Sequence, residues 1–370
     1  MPRFNLRRRA LAWIAGLGAS PLVGAGERHA REPAGTVDYA PVVPGHTLRF
    51  PHDHGSHPLF RIEWWYVTGW LEGKAREPCG FQVTFFRTRT QADPRNPSAF
   101  TPQQIMIAHA ALSVESRGRL THDQKVARAA HGLAGAAEGT TRVWIDQWSL
   151  ARSGTSYGVR LPAREFALEL ELVPTQPPLL QGDAGYSRKG PLPESASYYY
   201  SLPHLAARGT LADSDGRSAV TGSAWLDHEW SSSLMDERAS GWDWVGINLD
   251  DGSALMAFRM RSREGGALWA AGAYRSANGA TRAYAPHEVR FTETRSWRSP
   301  RTGATYPVAF RVRAGDLEVT LTPLMDDQEH DTRASVGAVY WEGAVTATID
   351  GRPAGRGYLE LTGYVRPLTL

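Results

Sequence analysis

Cys79 is the single cysteine among 370 residues, so the chain cannot form an intramolecular disulfide and its stability has to come from its core. It also stands far from the leader, which rules out a lipoprotein anchor there. Long apolar runs are missing: the stretch Ala10 to Ala19 is too short to span a bilayer, so no transmembrane segment is expected in the mature chain. Neither charge sign is in excess. Residues 1–25, "MPRFNLRRRALAWIAGLGASPLVGA", carry four of the 41 basic residues and none of the 38 acidic ones, and the rest of the chain is near neutral. A broad nucleic-acid-binding surface is therefore excluded, and the basic pI of about 9.0 reports the leader. No G-x-S-x-G elbow, phosphate loop or dinucleotide fingerprint occurs, and no cofactor is implied. Sustained helical spacing is almost absent; Gln124 to Ala137 is the best helical window.

The leader reads as an export signal: a basic start, an apolar stretch and small residues, with cleavage near Ala25 or Ala30. The consecutive Arg7, Arg8 and Arg9 suggest the twin-arginine route and an exported, periplasmic or secreted protein. Beyond it, short alternating runs separated by turn chemistry mark an all-β protein rich in Trp, with 13 of them. "WWYVTGWL" followed by "GFQVTFFR" matches "WDWVGINL" followed by "DDGSALMAFR", ending in Phe86-Arg87 and Phe258-Arg259. A second echo joins two strand–"DGR"–strand units. Both imply two similar β units at 36–230 and 231–370, the first interrupted by a long ordered loop at 174–205.

Three places could carry chemistry. In "RIEWWYVTGWL", Glu63 sits among Trp64, Trp65 and Tyr66, where an ionised carboxylate needs a partner or a raised pKa. It is either fixed by Arg61, Arg87 or backbone NH groups, or kept as an acid. In "WLDHEW", alternation groups His228 and Trp230 on one face and Asp227 and Glu229 on the other, a candidate proton-handling cluster. Asp243, in "WDWVGINL", shares a predicted face with Val245 and Ile247. The sequence repeat aligns it with Trp65 and not with Glu63. The run "HDHGSH", His52 to His57, matches no standard metal-ligand spacing, and "MDDQEHD" reads as a solvated turn; no metal is assigned.

With "FPHDHGSHPLFRIEWWYVTGWL", "PPLLQGDAGYSRKG", "SYYYSLPHL" and "WLDHEWSSSLM" in one chain, the sequence resembles the AttH-like and carotenoid 1,2-hydratase family of two-domain lipocalin-like proteins. The resemblance covers nearly everything after the leader. It implies two calycin-type antiparallel β-barrels packed together. The family holds a few hydratases of acyclic carotenoids and many exported members described as predicted secreted hydrolases. The hydratases are similar at His-x-Trp, here His228 and Trp230, and use a Tyr and an Asp on a following strand, where "SALMAFRMR" has Phe258 and no carboxylate.

Three functions stand as expectations. The first is binding of a hydrophobic small molecule in an aromatic-lined barrel cavity, with Trp64, Trp65, Tyr66, Tyr199, Trp242 and Trp244 as its walls. The second is acid–base chemistry, as a hydro-lyase or hydrolase of an apolar substrate, with Glu63 or Asp243 as acid and His228 as base or water-orienter. The third is a periplasmic accessory or scaffold of a membrane transport complex.

Overall fold

The computed structural model describes residues 37–368 apart from 75, 99 and 234. The export signal, with Arg7 to Arg9 and both cleavage positions, lies outside the described residues. Apart from three short 3-10 turns, the described elements are strands. The first thirteen are β1 (Ile62–Gly73), β2 (Arg76–Arg89), β3 (Gln104–Val114), β4 (Thr121–Arg128), β5 (Ala134–Ala136), β6 (Arg142–Ile145), β7 (Trp148–Ser153), β8 (Ser156–Pro162), β9 (Ala167–Pro174), β10 (Leu179–Leu180), β11 (Tyr186–Arg188), β12 (Ala196–Asp213) and β13 (Gly216–Ser231). The other ten are β14 (Ala239–Leu249), β15 (Ala254–Ser262), β16 (Ala267–Arg275), β17 (Thr281–Tyr284), β18 (Val289–Arg298), β19 (Thr305–Ala314), β20 (Leu317–Pro323), β21 (Glu329–Thr332), β22 (Ala338–Ile349) and β23 (Arg352–Leu361).

They form two antiparallel sheets with one strand order. The first runs β4-β3-β2-β1-β13-β12-β9-β8-β7-β6-β5, with β4 returning against β5 and β6 so that the sheet nearly closes. The second runs β17-β16-β15-β14-β23-β22-β20-β19-β18, and β15 and β16 return against β18. β10 and β11 pair off β12 as β21 pairs off β22, so even the side strands correspond.

Alternation builds three cores from these strands. The inward face of the first sheet buries Trp65, Val67, Phe81, Phe85, Trp148 and Trp230 among others. The inward face of the second buries Val245, Ile247, Tyr306, Phe310, Trp341 and Leu359. A third core, with Tyr66, Trp70, Tyr199, Trp225, Trp244, Phe258 and Tyr358, lies between the sheets and welds them together. Each such side chain contributes roughly 1.5–3 kcal/mol by leaving water. Gly80 on β2 lets the sheets approach, since a Cβ there would stand 2.7 Å from the Tyr358 hydroxyl.

Three sequence expectations change. Gln124 to Ala137 is not helical: its first half is β4, paired along its length with β3, and ladder hydrogen bonds outweigh a weak helical pattern broken by glycine. The stretch 174–205 is partly strand, because β10, β11 and the start of β12 fall within it. Pro203 is accommodated at a register shift between Leu202 and Leu205, where His204 takes a left-handed φ of 53°. "MDDQEHD" is no solvated turn, since Glu329 and His330 are buried on β21.

Candidate functional site

Glu63 lies inside the first barrel. Register places it opposite Trp230 on β13 and Arg87 on β2, with Trp65 opposite His228. One carboxylate oxygen accepts hydrogen bonds from the Ser56 hydroxyl at 3.0 Å, the His57 backbone NH at 2.9 Å and Arg87 Nε at 2.8 Å. The other accepts from His57 Nδ1 at 2.7 Å and His228 Nε2 at 2.9 Å. Burial alone would raise this carboxyl, but hydrogen bonds from His228 and His57, with the Arg87 charge, hold it well below the usual carboxylate range. Glu63 is therefore an anchored anion and not a stored acid. His57 stacks on Trp230 at 3.7 Å; burial would lower it, and Asp53 and Glu63 together raise it instead. Burial lowers His228, whose Nδ1 contacts the Tyr200 hydroxyl at 3.1 Å and whose ring stacks on Trp65.

The "HDHGSH" run supplies this cluster: Asp53, His54 and Ser56 are buried, and only part of the run is solvated. His57 Nδ1, His228 Nε2 and a Glu63 oxygen lie within 4.8 Å of one another, a spacing that could hold a metal ion. The Arg87 guanidinium on the same carboxylate already supplies the positive charge, and the donors around Glu63 occupy both oxygens.

The second barrel repeats the motif. Asp243 stands opposite Arg259 as Glu63 stands opposite Arg87, so the two acids are structural equivalents. This corrects the sequence alignment of Asp243 with Trp65, which matched the Val positions and missed a two-residue offset in β1. Asp243 is bound by Arg259 Nε at 2.8 Å, Arg261 Nε at 3.2 Å and the Tyr364 hydroxyl at 2.9 Å.

An aromatic cavity lies between the barrels, whereas the sequence placed one inside a barrel. Each inward face is filled by its own rings, and the outward faces of corresponding strands meet around a cleft of about 300 Å³. One wall carries, across β3, β2, β1, β13 and β12, the row Ile107, Phe86, Trp64, Glu229, Tyr199. The other carries, across β16, β15, β14, β23 and β22, the row Ala271, Phe258, Trp244, Glu360, Glu342. The cleft thus has nearly matching walls, differing most where Tyr199 in one takes the position that Glu342 holds in the other. Tyr66, Asp227 and Trp242 are also among the lining residues.

Of the residues singled out from sequence, the structure gathers Trp64, Tyr66, Tyr199, Asp227, Glu229, Trp242 and Trp244 at the cleft. His228, Trp230, Trp65 and Asp243 face the barrel interiors. Glu229 is ion-paired with Lys189, whose ammonium also sits 4.4 Å from the centre of the Tyr199 ring. Three other carboxyls are shifted upward. Burial raises Asp227 to about 7 although Ser201, Tyr199 and Trp225 all donate to it. Burial, with Asp227 and Glu229 nearby, raises Glu360 to about 7 despite the Trp242 indole NH at 2.9 Å. Glu342 is raised well above the usual range by burial and by Glu360, against the opposing pull of the nearby Tyr66 and Tyr340 hydroxyls, and neither of its oxygens has a hydrogen-bond partner of good geometry.

Sequence reading missed Glu342 and Glu360. Each stands between apolar neighbours in a strand, in "YWEGA" and "YLELT", which is the signal that drew attention to Glu63. It could have found them.

Fold and cleft together define a protein of two barrel-like β-sheets with an acidic, aromatic pocket at their seam. The AttH-like family model matches residues 41–364, and the chain belongs to that family. It is similar to the crystal structure of a protein described as an AttH from Nitrosomonas europaea, at 55% identity and TM-score 0.82, covering 88% of this chain and 99% of that one. Kievitone hydratase from Nectria haematococca shares the fold at 13% identity and TM-score 0.66, over 88% of this chain and 97% of its own. CghA shares it at 14% identity and TM-score 0.51, over 89% and 98%. No curated protein matches.

Proposed function

We propose that the protein, exported from the cytoplasm, binds a hydrophobic small molecule in the cleft between its sheets and acts on it with Glu342 as general acid, in the manner of a hydratase. The observation that carries this reading is a buried carboxyl without a well-formed hydrogen bond to a protein group, lining a largely aromatic cleft. Burial and the neighbouring Glu360 raise that carboxyl well above the usual range and favour its protonated form. It can give its proton to a carbon–carbon double bond. The electron-deficient carbon then sits against the π faces of Trp64, Trp244 and Phe258, and water adds to it. Glu360, raised to about 7 by burial with Asp227 and Glu229 nearby, suits the return step, since an ionised carboxylate there can take the proton that the added water releases. That the fold is shared with a hydratase accords with this chemistry without supplying it.

Two measurements test the reading. Titration with N-phenyl-1-naphthylamine, a neutral apolar fluorophore, is expected to give saturable energy transfer from the cleft tryptophans, abolished by Trp244→Ala. Native mass spectrometry of protein purified in processed form from its own host should reveal a bound apolar compound. Incubating that compound with wild-type protein should yield its water adduct, and Glu342→Gln should bind it without converting it. An empty protein that rejects the fluorophore overturns the binding role; binding with no loss of conversion in Glu342→Gln overturns the acid.

A further inference from the structure

Beside Glu342, three histidines pack together: His109 on β3, which also lines the cleft, His122 on β4 and His330 on β21. The His330 ring centre lies 4.7 Å from that of His122 and 5.3 Å from that of His109, and its Nδ1 is 3.6 Å from a Glu342 oxygen. The three differ in how they are tied. His109 is fixed, with Nδ1 at 2.9 Å from the Tyr340 hydroxyl and Nε2 at 2.9 Å from the Ser335 hydroxyl. His330 is fully buried and both of its ring nitrogens lack hydrogen-bond partners. His122 is half-buried, and its buried Nδ1 is also without a partner.

A buried nitrogen unmatched by any protein group costs roughly 1–3 kcal/mol, so the retention of these calls for a use. Burial also keeps His330 and His122 neutral: burial, with His109 and His122, drives His330 far down, and burial lowers His122. A neutral imidazole carries one N–H and one bare nitrogen, which lets it accept a proton on one side and release one on the other.

We infer that His330 and His122 form a relay that returns a proton from solvent to Glu342 while the cleft is occupied. This rests on Glu342 being the acid proposed above. Once Glu342 has given up its proton, the carboxylate takes the Nδ1 proton of His330. Across a bridging water, since the two rings share no direct hydrogen bond, the His330 Nε2 takes one from His122; His122 takes one from water at the surface, leaving hydroxide that the proton held by Glu360 neutralises once the product leaves, so each ring ends neutral and one proton has crossed. The sheet seam supplies the route, because His122 belongs to the first sheet and His330 to the second. The route matters because an apolar ligand in the cleft closes the direct path from solvent to Glu342. His330 and His122 act through Glu342 and are positioning residues, not catalytic ones.

The test uses whole protein saturated with N-phenyl-1-naphthylamine and transferred into D2O at neutral pH. The carbonyl stretch of the protonated Glu342 carboxyl, identified by its loss in Glu342→Gln, reports deuterium arrival. The exchange rate is expected to fall at least tenfold in both His330→Phe and His122→Phe, and imidazole in the medium should restore it in His330→Ala. His122→Phe alters only the half-buried end of the route, so it gives a folded variant even if His330→Phe does not fold. Unchanged exchange in a folded variant that still binds the fluorophore overturns the relay while leaving the acid intact. Absence of the protonated band from wild-type protein overturns the acid itself, and the relay with it.

Discussion

A carboxylate among tryptophans has opposite meanings at Glu63 and Glu342, and the partners decide which. Glu63 has five donors and stays charged; removing that charge as Glu63→Gln strands the buried Arg87 guanidinium. Breaking a buried pair from one side costs about 3–5 kcal/mol, so Glu63→Gln should lower the urea midpoint substantially with any folded remnant still binding apolar probe. The two kinds of acid also pull stability in opposite directions with pH. Glu63, with its folded pKa depressed, contributes stability that is present above the normal carboxylate range and lost on strong acidification. Asp227, raised from 3.8 to about 7, contributes its full share only below its unfolded pKa, and that share is lost as pH rises through 7. Urea midpoints measured across this range should therefore fall less steeply with rising pH in Asp227→Asn than in wild type. The Arg87 partner of Glu63 was among the candidates legible in sequence. Glu342 was not singled out although it too stands between apolar neighbours, because what raises its carboxyl is burial at the seam beside Glu360, and the local pattern does not distinguish it from the charged Glu63.

At the scale of the strand, alternation carried most of the information. It correctly separated His228 and Trp230 from Asp227 and Glu229 on β13, and it put Glu63 and Trp65 on one face of β1. What it could not say is which face turns toward a cavity, since both faces of β1 are apolar and only the packing of a second sheet distinguishes them. The helical window at Gln124 failed for a related reason: its partner β3 is distant in any local reading. Gly246 on β14 is a strand position with a measurable role, because a Cβ there would lie 2.6 Å from the Trp244 ring and 3.1 Å from that of Trp225. Gly246→Val should push Trp244 into the cleft, weaken fluorophore binding at least tenfold, and destabilise the fold by about 1–3 kcal/mol as overpacking does. Isothermal titration and thermal melts on the same sample separate the two effects.

Over the whole molecule, the core shared between the sheets makes their folding interdependent. Tyr66 meets Trp244 edge to face at 5.3 Å, and the Trp70 indole NH donates to the Gly357 carbonyl at 3.1 Å across the seam. Tryptophan fluorescence and far-ultraviolet circular dichroism should accordingly report one coincident urea transition; two separated transitions would mean that the sheets fold apart. The repeated strand order was visible in sequence as paired hairpins, and its exact offset was not. That repetition bears on how a guest lies in the cleft. Walls built on one plan would accept an elongated molecule head-first or tail-first alike, and turnover would then be wasted on half of all encounters. The exchange of Tyr199 for Glu342 breaks this tie. It gives the pocket a polarity, with a fixed ammonium–carboxylate pair of Lys189 and Glu229 by one wall and a neutral acid in the other. On the proposed function, a guest with a hydrogen-bonding head and an unsaturated tail would have one productive heading, and the stereochemistry of its product would be set before a proton moves.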